Sequence, residues 1–140
     1  MSIWFTEPSV GALNLSSVGT MVQHLGIEYT EVGDDYIKAR MPVDERTVQP
    51  AGKLHGGATV TLAETLGSVS GYMCVDPVKN YCVGMEINAN HIRPVEEGFV
   101  YGTSKPIHLG KSSHIWEIKI TNGDGKLVCI ARLTLAVRDI

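Results

Sequence analysis

The chain is poor in cysteine and has no excess of positive charge. Its three cysteines form no CxxC pair and no even set, which argues against a disulfide framework and predicts reduced thiols in a cytoplasmic protein. Twelve Lys and Arg residues against 15 Asp and Glu residues give a formal net charge of −3. A nucleic-acid-binding protein would carry a basic face, so that class of partner is not expected.

The chain also lacks the signals of export, of a membrane span and of a metal site. The first seven residues have neither the basic start nor the long apolar run of a signal peptide. The segment 54–75 is long enough to cross a bilayer, but Glu64 and several Ser, Thr and Gly residues argue against a lipid-facing span. No HExxH motif occurs, and His24, His108 and His114 have no metal-like spacing, so neither a metal nor another cofactor is expected.

The apolar pattern predicts a single α+β domain over residues 1–140, because no repeat, linker or low-complexity segment divides the chain. A first helix over 9–23 and strands over 25–30 and 36–41 precede a loop over 42–53 and a long central helix. About four antiparallel strands follow, beginning near Tyr81, at 98–108, near Trp116 and at Leu127. On the first of these, one face is expected to carry Val83, Met85, Ile87 and Ala89.

Glu64 is the most informative residue of the central helix. It is the only formally charged residue between Lys53 and Asp76. Removing a carboxylate from water is costly, and a catalytic role is the leading reason to keep one in a core helix. The alternative is a carboxylate on the solvated side of an amphipathic helix. Because such a side normally carries several charges, the functional interpretation is favoured.

Helical spacing sorts the residues around Glu64 into three stripes. The stripe expected to pack on the sheet contains Ala58, Leu62, Leu66, Val69 and Met73. Glu64 itself lies on a small and polar stripe with Gly57, Thr61, Ser68 and Gly71. A third stripe has only small residues, which would let another element approach closely: Thr59, Ala63, Gly67, Ser70 and Cys74.

The turn His55-Gly56-Gly57 opens this helix. Bare N–H groups and the helix dipole favour negative charge there, as an oxyanion hole requires, although a glycine pair alone is more simply a tight entry turn. At about 1.5 Å of rise per residue, Glu64 lies about 12 Å along the axis from Gly56. Both groups must come within about 3 Å of one reacting carbonyl group. We therefore predict a site shared by two subunits across a twofold axis, with the helices antiparallel.

Several segments resemble the hotdog-fold acyl-CoA thioesterases, and most of all the branch that holds 1,4-dihydroxy-2-naphthoyl-CoA hydrolase and the enterobactin proofreading thioesterase. The matching segments are VQP at 48–50, LHGGA at 54–58, LAETLGS at 62–68 and EINANH at 86–91. Further similarity runs from about residue 25 to the C-terminus, including 41–44, 105–110 and 132–134. The resemblance implies a long central helix wrapped by an antiparallel sheet, with sheets pairing across a homodimer and dimers pairing into a homotetramer.

The resemblance also implies roles for the residues of the predicted site. Glu64 would attack the thioester carbonyl as a nucleophile or activate water as a general base. The Gly56 N–H would stabilise the oxyanion, and Gln49 and His55 would orient the thioester. Thr65 and Ser68 would position the carboxylate or the water; ordinary bonds from helical hydroxyls to backbone carbonyls are the alternative.

A second set of residues is implied to bind coenzyme A. His91 and Arg93 would contact its phosphates, although an exposed Arg is more often only solvated. The nucleotide would be held near the end of the 98–108 strand. The set comprises Gly84, His91, Arg93, His108, Gly110, Lys111, Ser112 and Ser113.

The resemblance implies hydrolysis of an aryl-type acyl-CoA, with 1,4-dihydroxy-2-naphthoyl, benzoyl or phenylacetyl groups as candidates. The same pocket would suit an acyl group on the phosphopantetheine of an acyl carrier protein, since both substrates share the reactive arm. A non-catalytic acyl-CoA sensor is a further alternative. A hotdog hydratase or dehydratase is less favoured, because nothing in the chain resembles its Asp/His signature.

Overall fold

The alternating C-terminal half forms four long strands that close an antiparallel sheet around one helix. A computed structural model describes residues 1–140, and its six strands lie in the order β1-β2-β4-β5-β6-β3. The elements are α1 (Val10–Ser16), α2 (Met21–His24), β1 (Glu28–Val32), β2 (Ile37–Pro42), α3 (Gly56–Met73), β3 (Asn80–His91), β4 (Phe99–Leu109), β5 (Ser113–Thr121) and β6 (Leu127–Asp139). The predicted α+β layout, with a long helix followed by four strands, is confirmed. None of the helices has the length and apolar content needed to cross a bilayer.

The N-terminal third differs from the prediction. The single helix expected over 9–23 is two short helices, and Gly19 lies between them with φ of 78°, a conformation that does not continue a helix. A second positive φ, 74° at Gly26, turns the chain out of α2. The strand expected at 25–30 therefore starts only at Glu28, and the next strand is displaced by one residue.

The face of α3 that packs on the sheet is smaller than predicted. Leu62 and Leu66 are fully buried as expected, whereas Ala58, Val69 and Met73 are only partly buried. The rest of the buried face consists of Thr59, Ala63, Gly67, Ser70 and Gly71. The small stripe thus packs on the sheet of its own chain and is not open to another element. The reason is the size of the facing side chains: a Cβ added to Gly67 would lie 2.6 Å from Leu133.

Strand β3 changes phase at a bulge between Gly84 and Glu86. Ile87 and Ala89 pack against the core together with Cys82, while Val83 and Met85 are 43% and 64% exposed. The prediction of one common face was wrong, because an extra residue in one strand inverts the alternation beyond it. β3 is also an outer strand of the sheet, so its other edge is unpaired.

Candidate active site

The first turn of α3 leaves one backbone donor free. His55 caps the helix: its Nδ1 accepts the N–H of Gly57 at 2.8 Å, and its carbonyl oxygen accepts the N–H groups of Ala58 and Thr59 at 3.0 and 3.1 Å. The N–H of Gly56 has no partner. A free N–H at a helix N-terminus is a donor suited to an anionic oxygen.

A cleft of about 320 Å³ lies beside this donor. Its lining includes Gln49, Gly56, His91 and Arg93, so the structure brings together predicted site residues from two separate segments of the chain. The side-chain oxygen of Gln49 accepts the N–H of Ala51, which leaves the amide nitrogen of Gln49 free to donate. Lys53 and Thr59 also line the cleft and were not among the predicted site residues.

The ring of His55 is not in this cleft. It lines a separate groove with Arg46, Thr47 and Ala58 on the other side of the turn. With its Nδ1 occupied by the Gly57 N–H, His55 has a clear structural task as the helix cap. Within one chain, His55 and Gln49 thus lie in different depressions of the surface.

Glu64 lies in the middle of α3 with its carboxylate over β3. It is partly exposed and forms no hydrogen bond or ion pair. A Cβ added to Gly84 would lie 2.8 Å from a carboxylate oxygen of Glu64, so the absence of a side chain at Gly84 makes room for this group. The expected desolvation of Glu64 in a core helix is therefore only partial in a single chain.

Two hydroxyls next to Glu64 are also free. Thr65 and Ser68 make no hydrogen bond within the chain, whereas the hydroxyls of Thr59 and Thr61 bond back to the carbonyls of His55 and Gly57 at 3.4 and 2.9 Å. The alternative for Thr65 and Ser68, an ordinary hydrogen bond to a helix carbonyl, is therefore made by Thr59 and Thr61 but not by these two residues. Free hydroxyls at this position can orient a carboxylate or a water molecule.

The three cysteines are not suited to act as nucleophiles. Burial raises the pKa of the Cys74 thiol to about 12, with the nearby Cys82 adding to the effect. Burial also raises the pKa of Cys82 and Cys129 above that of an ordinary thiol. All three are free thiols, and a raised pKa keeps them protonated and unreactive at neutral pH.

The remaining predicted coenzyme A residues lie at the turn between β4 and β5. The N–H of Gly110 donates to the carbonyl of Ser113 at 2.8 Å, and the ring of His108 folds against Gly110. A cleft of about 510 Å³ adjoins this turn. It is lined by Lys111 and Ser112, and by Lys79, Asn80, Val137, Arg138 and Asp139.

The two predicted coenzyme A regions lie at opposite ends of β3 within one chain. Asn80, which begins the strand, borders the cleft at Lys111, while His91 ends it. Twelve residues of extended strand separate the ends by about 36 Å. Lys79 and Arg138, which accompany Lys111, were missed, because only the strand pairing places them beside this turn.

The family model and the relatives that this chain resembles all point to the same family. Residues 51–129 match the model of the thioesterase superfamily. The chain is 52% identical over 136 residues to the proofreading thioesterase EntH of Cronobacter turicensis, covering 96% of this chain and 98% of that one. It is 49% identical over 135 residues to the 1,4-dihydroxy-2-naphthoyl-CoA hydrolase of Escherichia coli, covering 96% and 98%.

A solved structure agrees in detail. The crystal structure of a mutant thioesterase from Pseudomonas aeruginosa superposes with a TM-score of 0.97 at 47% identity, covering 99% of this chain and 100% of that one. Fold, sequence and the matched segment lead to the same assignment. The chain belongs to the thioesterase superfamily, has its hotdog fold and is a thioester hydrolase.

Proposed function

We propose that the protein cleaves the thioester of an aryl-type acyl-CoA to the free acid and coenzyme A in the cytoplasm. Candidate acyl groups are 1,4-dihydroxy-2-naphthoyl, benzoyl and phenylacetyl. The observation that carries the proposal is the unpaired carboxylate of Glu64, held over Gly84 with two free hydroxyls beside it. The relative named 1,4-dihydroxy-2-naphthoyl-CoA hydrolase supports the choice of an aryl group.

The proposed site is shared between two subunits. Glu64 of one subunit acts with Gln49, Gly56 and the adjoining cleft of the other, because about 12 Å of helix separates the two halves in one chain. The free edge of β3 and its exposed Tyr81, Val83 and Met85 support a twofold interface there.

Antiparallel pairing of two β3 edges would place the His91 end of one subunit beside the Asn80 end of the other. Arg93 of one subunit and the turn at Lys111 of its partner would then approach each other. This arrangement joins the two coenzyme A regions that a single chain keeps apart. We extend the proposal to a homotetramer of two such dimers, in line with the family resemblance.

Hydrolysis of the thioester follows one of two routes. In the first, Glu64 takes a proton from water, the water oxygen bonds to the carbonyl carbon, and the π electron pair moves to the carbonyl oxygen. The double bond then reforms, the C–S bond breaks, and the proton held by Glu64 passes to the departing thiolate. In the second, a Glu64 oxygen attacks the carbonyl carbon and expels the thiolate. Water then hydrolyses the resulting anhydride, which regenerates the Glu64 carboxylate, releases the free acid and supplies the proton that the thiolate takes up.

The other residues serve these routes in the proposal. The Gly56 N–H holds the oxyanion, Gln49 and His55 orient the thioester, and Thr65 and Ser68 position the carboxylate or water. Gly84 gives Glu64 its space and lies next to the bound thioester. Coenzyme A is held by residues of the two clefts and of the β4–β5 turn: His91, Arg93, His108, Gly110, Lys111, Ser112 and Ser113.

Replacing Glu64 tests the assignment. With a panel of aryl- and fatty-acyl-CoAs and continuous detection of free thiol, Glu64→Gln is expected to lower kcat about 1,000-fold. Binding of a non-hydrolysable CoA thioether should persist. Glu64 makes no hydrogen bond or ion pair within the chain, so its replacement should leave the fold and the binding clefts intact. The matched control is Glu117→Gln, which replaces a partly exposed carboxylate on β5 that pairs only with Lys119. Thioester cleavage that survives Glu64→Gln would refute the catalytic role.

The same panel separates the alternatives. The relative named proofreading thioesterase favours an acyl-carrier-protein substrate, which predicts higher kcat/KM on the carrier-bound acyl group than on its CoA ester. The non-catalytic sensor is disfavoured, because these relatives are named a thioesterase and a hydrolase.

A further inference from the structure

The ring of His91 lies directly against the first residue of α3. A Cβ added to Gly56 would lie 3.0 Å from Nε2 of His91, 3.3 Å from its Cε1 and 3.6 Å from its Cδ2. The ring therefore covers the side of Gly56 that a larger residue would fill. Neither ring nitrogen of His91 has a hydrogen-bond partner in the chain.

His91, at the end of β3, differs in its surroundings from His55, the histidine of the turn itself. The Nδ1 of His55 is occupied by the Gly57 N–H, and its ring lines a different groove. His91 shares the cleft of Gly56, whose own N–H is also free. Two free nitrogens, one from the backbone and one from an imidazole, thus lie side by side at the start of α3.

Oxyanion holes are built from such combinations of backbone N–H groups and side-chain donors, His included. We propose that Nε2–H of His91 is a second donor of the oxyanion hole and acts with the Gly56 N–H on the thioester carbonyl oxygen. The inference rests on the proposed function, since it requires a thioester in this cleft. It assigns His91 to the reacting group, in place of the coenzyme A contact that the resemblance implies and that the proposal above gave it, and leaves Arg93 to the phosphates.

The proposal has a kinetic consequence. Negative charge develops on the carbonyl oxygen only as the tetrahedral intermediate forms, so a donor there stabilises the transition state more than the substrate. Loss of His91 should lower kcat and change KM little. A phosphate contact would instead act on binding, and only with substrates that carry phosphates.

Substrates with and without phosphates therefore test the proposal. One aryl group is presented as its CoA ester and as its pantetheine ester, which keeps the thioester and the arm but has no phosphate. His91→Ala should lower kcat about 100-fold on both esters, relative to the wild type on the same ester. His91→Gln, whose amide keeps an N–H near the position of Nε2, should recover part of this loss.

Arg93→Ala is the comparison variant and should show the opposite pattern. Its defect should be a raised KM for the CoA ester that shrinks on the pantetheine ester. A His91→Ala defect that disappears on the pantetheine ester would overturn the proposal. If His91→Ala does not fold, His91→Asn, which is too short to reach the oxygen, replaces it in the same comparison.

Failure of this inference and failure of the proposed function give different results. If the proposed function is wrong, Glu64→Gln hydrolyses both esters as fast as the wild type, or the wild type hydrolyses neither. If only the role of His91 is wrong, Glu64 remains essential and the His91 defect depends on the phosphates.

Discussion

The two sides of α3 differ in how far their polar groups have hydrogen-bond partners within the chain. On the buried side, the hydroxyl of Ser70 meets that of Ser104 at 2.6 Å, and small residues let the sheet approach closely. On the partly exposed side, the hydroxyl of Thr61 bonds back to Gly57, but the Gly56 N–H, the Glu64 carboxylate and the hydroxyls of Thr65 and Ser68 have no partner. Folding accounts for the first arrangement, because buried polar groups need partners. The second arrangement leaves groups free to act on a ligand.

The comparison can be tested with one substitution, glycine to alanine, at three positions along α3 and β3. Each position has a different neighbour: the carboxylate of Glu64, the ring of His91 or the buried side chain of Leu135. Gly123→Ala is the common control, since its Cβ would meet nothing within 4 Å.

Of the three glycine substitutions, Gly84→Ala should have the largest effect on activity. The new Cβ would lie 2.8 Å from the Glu64 carboxylate and must displace it. A displacement of about 1 Å at a reacting group costs about 100-fold, so we expect kcat to fall by that factor. Steady-state kinetics and a denaturation curve check this together. Unchanged kcat would mean that the carboxylate does not work from its position over Gly84.

Gly56→Ala should have a smaller effect. Its Cβ would lie 3.0 Å from Nε2 of His91, and the ring must move by a few tenths of an ångström. We expect kcat to fall about 10-fold, because the two donors lose their alignment, while alanine slightly favours the helix itself. Kinetics on the pantetheine ester measure this. An enhanced kcat would contradict the role of this cleft in stabilising the transition state.

Gly71→Ala should leave catalysis almost unchanged and lower stability instead. Its Cβ would collide with Leu135 and also approach His114 and Trp116 in the buried layer. Overpacking of this kind costs about 1–3 kcal/mol, partly offset by the better helix propensity of alanine. Urea denaturation should show the loss, and kcat per folded protein should stay near the wild-type value. A loss of kcat without a loss of stability would contradict the assignment of the buried side of α3 to folding and of its partly exposed side to catalysis.

The sequence predicted the long helix, and the places of Glu64 and of the His55-Gly56-Gly57 turn on it, better than it predicted the elements around them. The isolated charge of Glu64 and the His55-Gly56-Gly57 turn were visible because helix geometry is regular, and the rise per residue alone separates them. The bulge after Gly84 was not predictable, since an extra residue in a strand leaves the local pattern of apolar residues intact.

Other differences arise from tertiary contacts. The small stripe of α3 faces its own sheet because Leu133 and Leu135 fill the space, and only the folded chain shows which strand supplies them. The position of His91 against Gly56 likewise depends on β3 running antiparallel to α3. The local pattern of apolar and polar residues contains no signal for either contact.

In the proposed site, Glu64 and the cleft at Gly56 work together only across two subunits, and mixing two inactive variants distinguishes such a shared site from a site within one chain. Glu64→Gln is combined with a double variant of the cleft, Gln49→Ala with His91→Ala, and the two are refolded together in equal amounts. In a shared site, each mixed dimer has one site with both defects and one intact site. Half of the dimers are mixed, so activity should recover to about a quarter of the wild-type rate. Activity that stays at the mean of the two parent variants would contradict it.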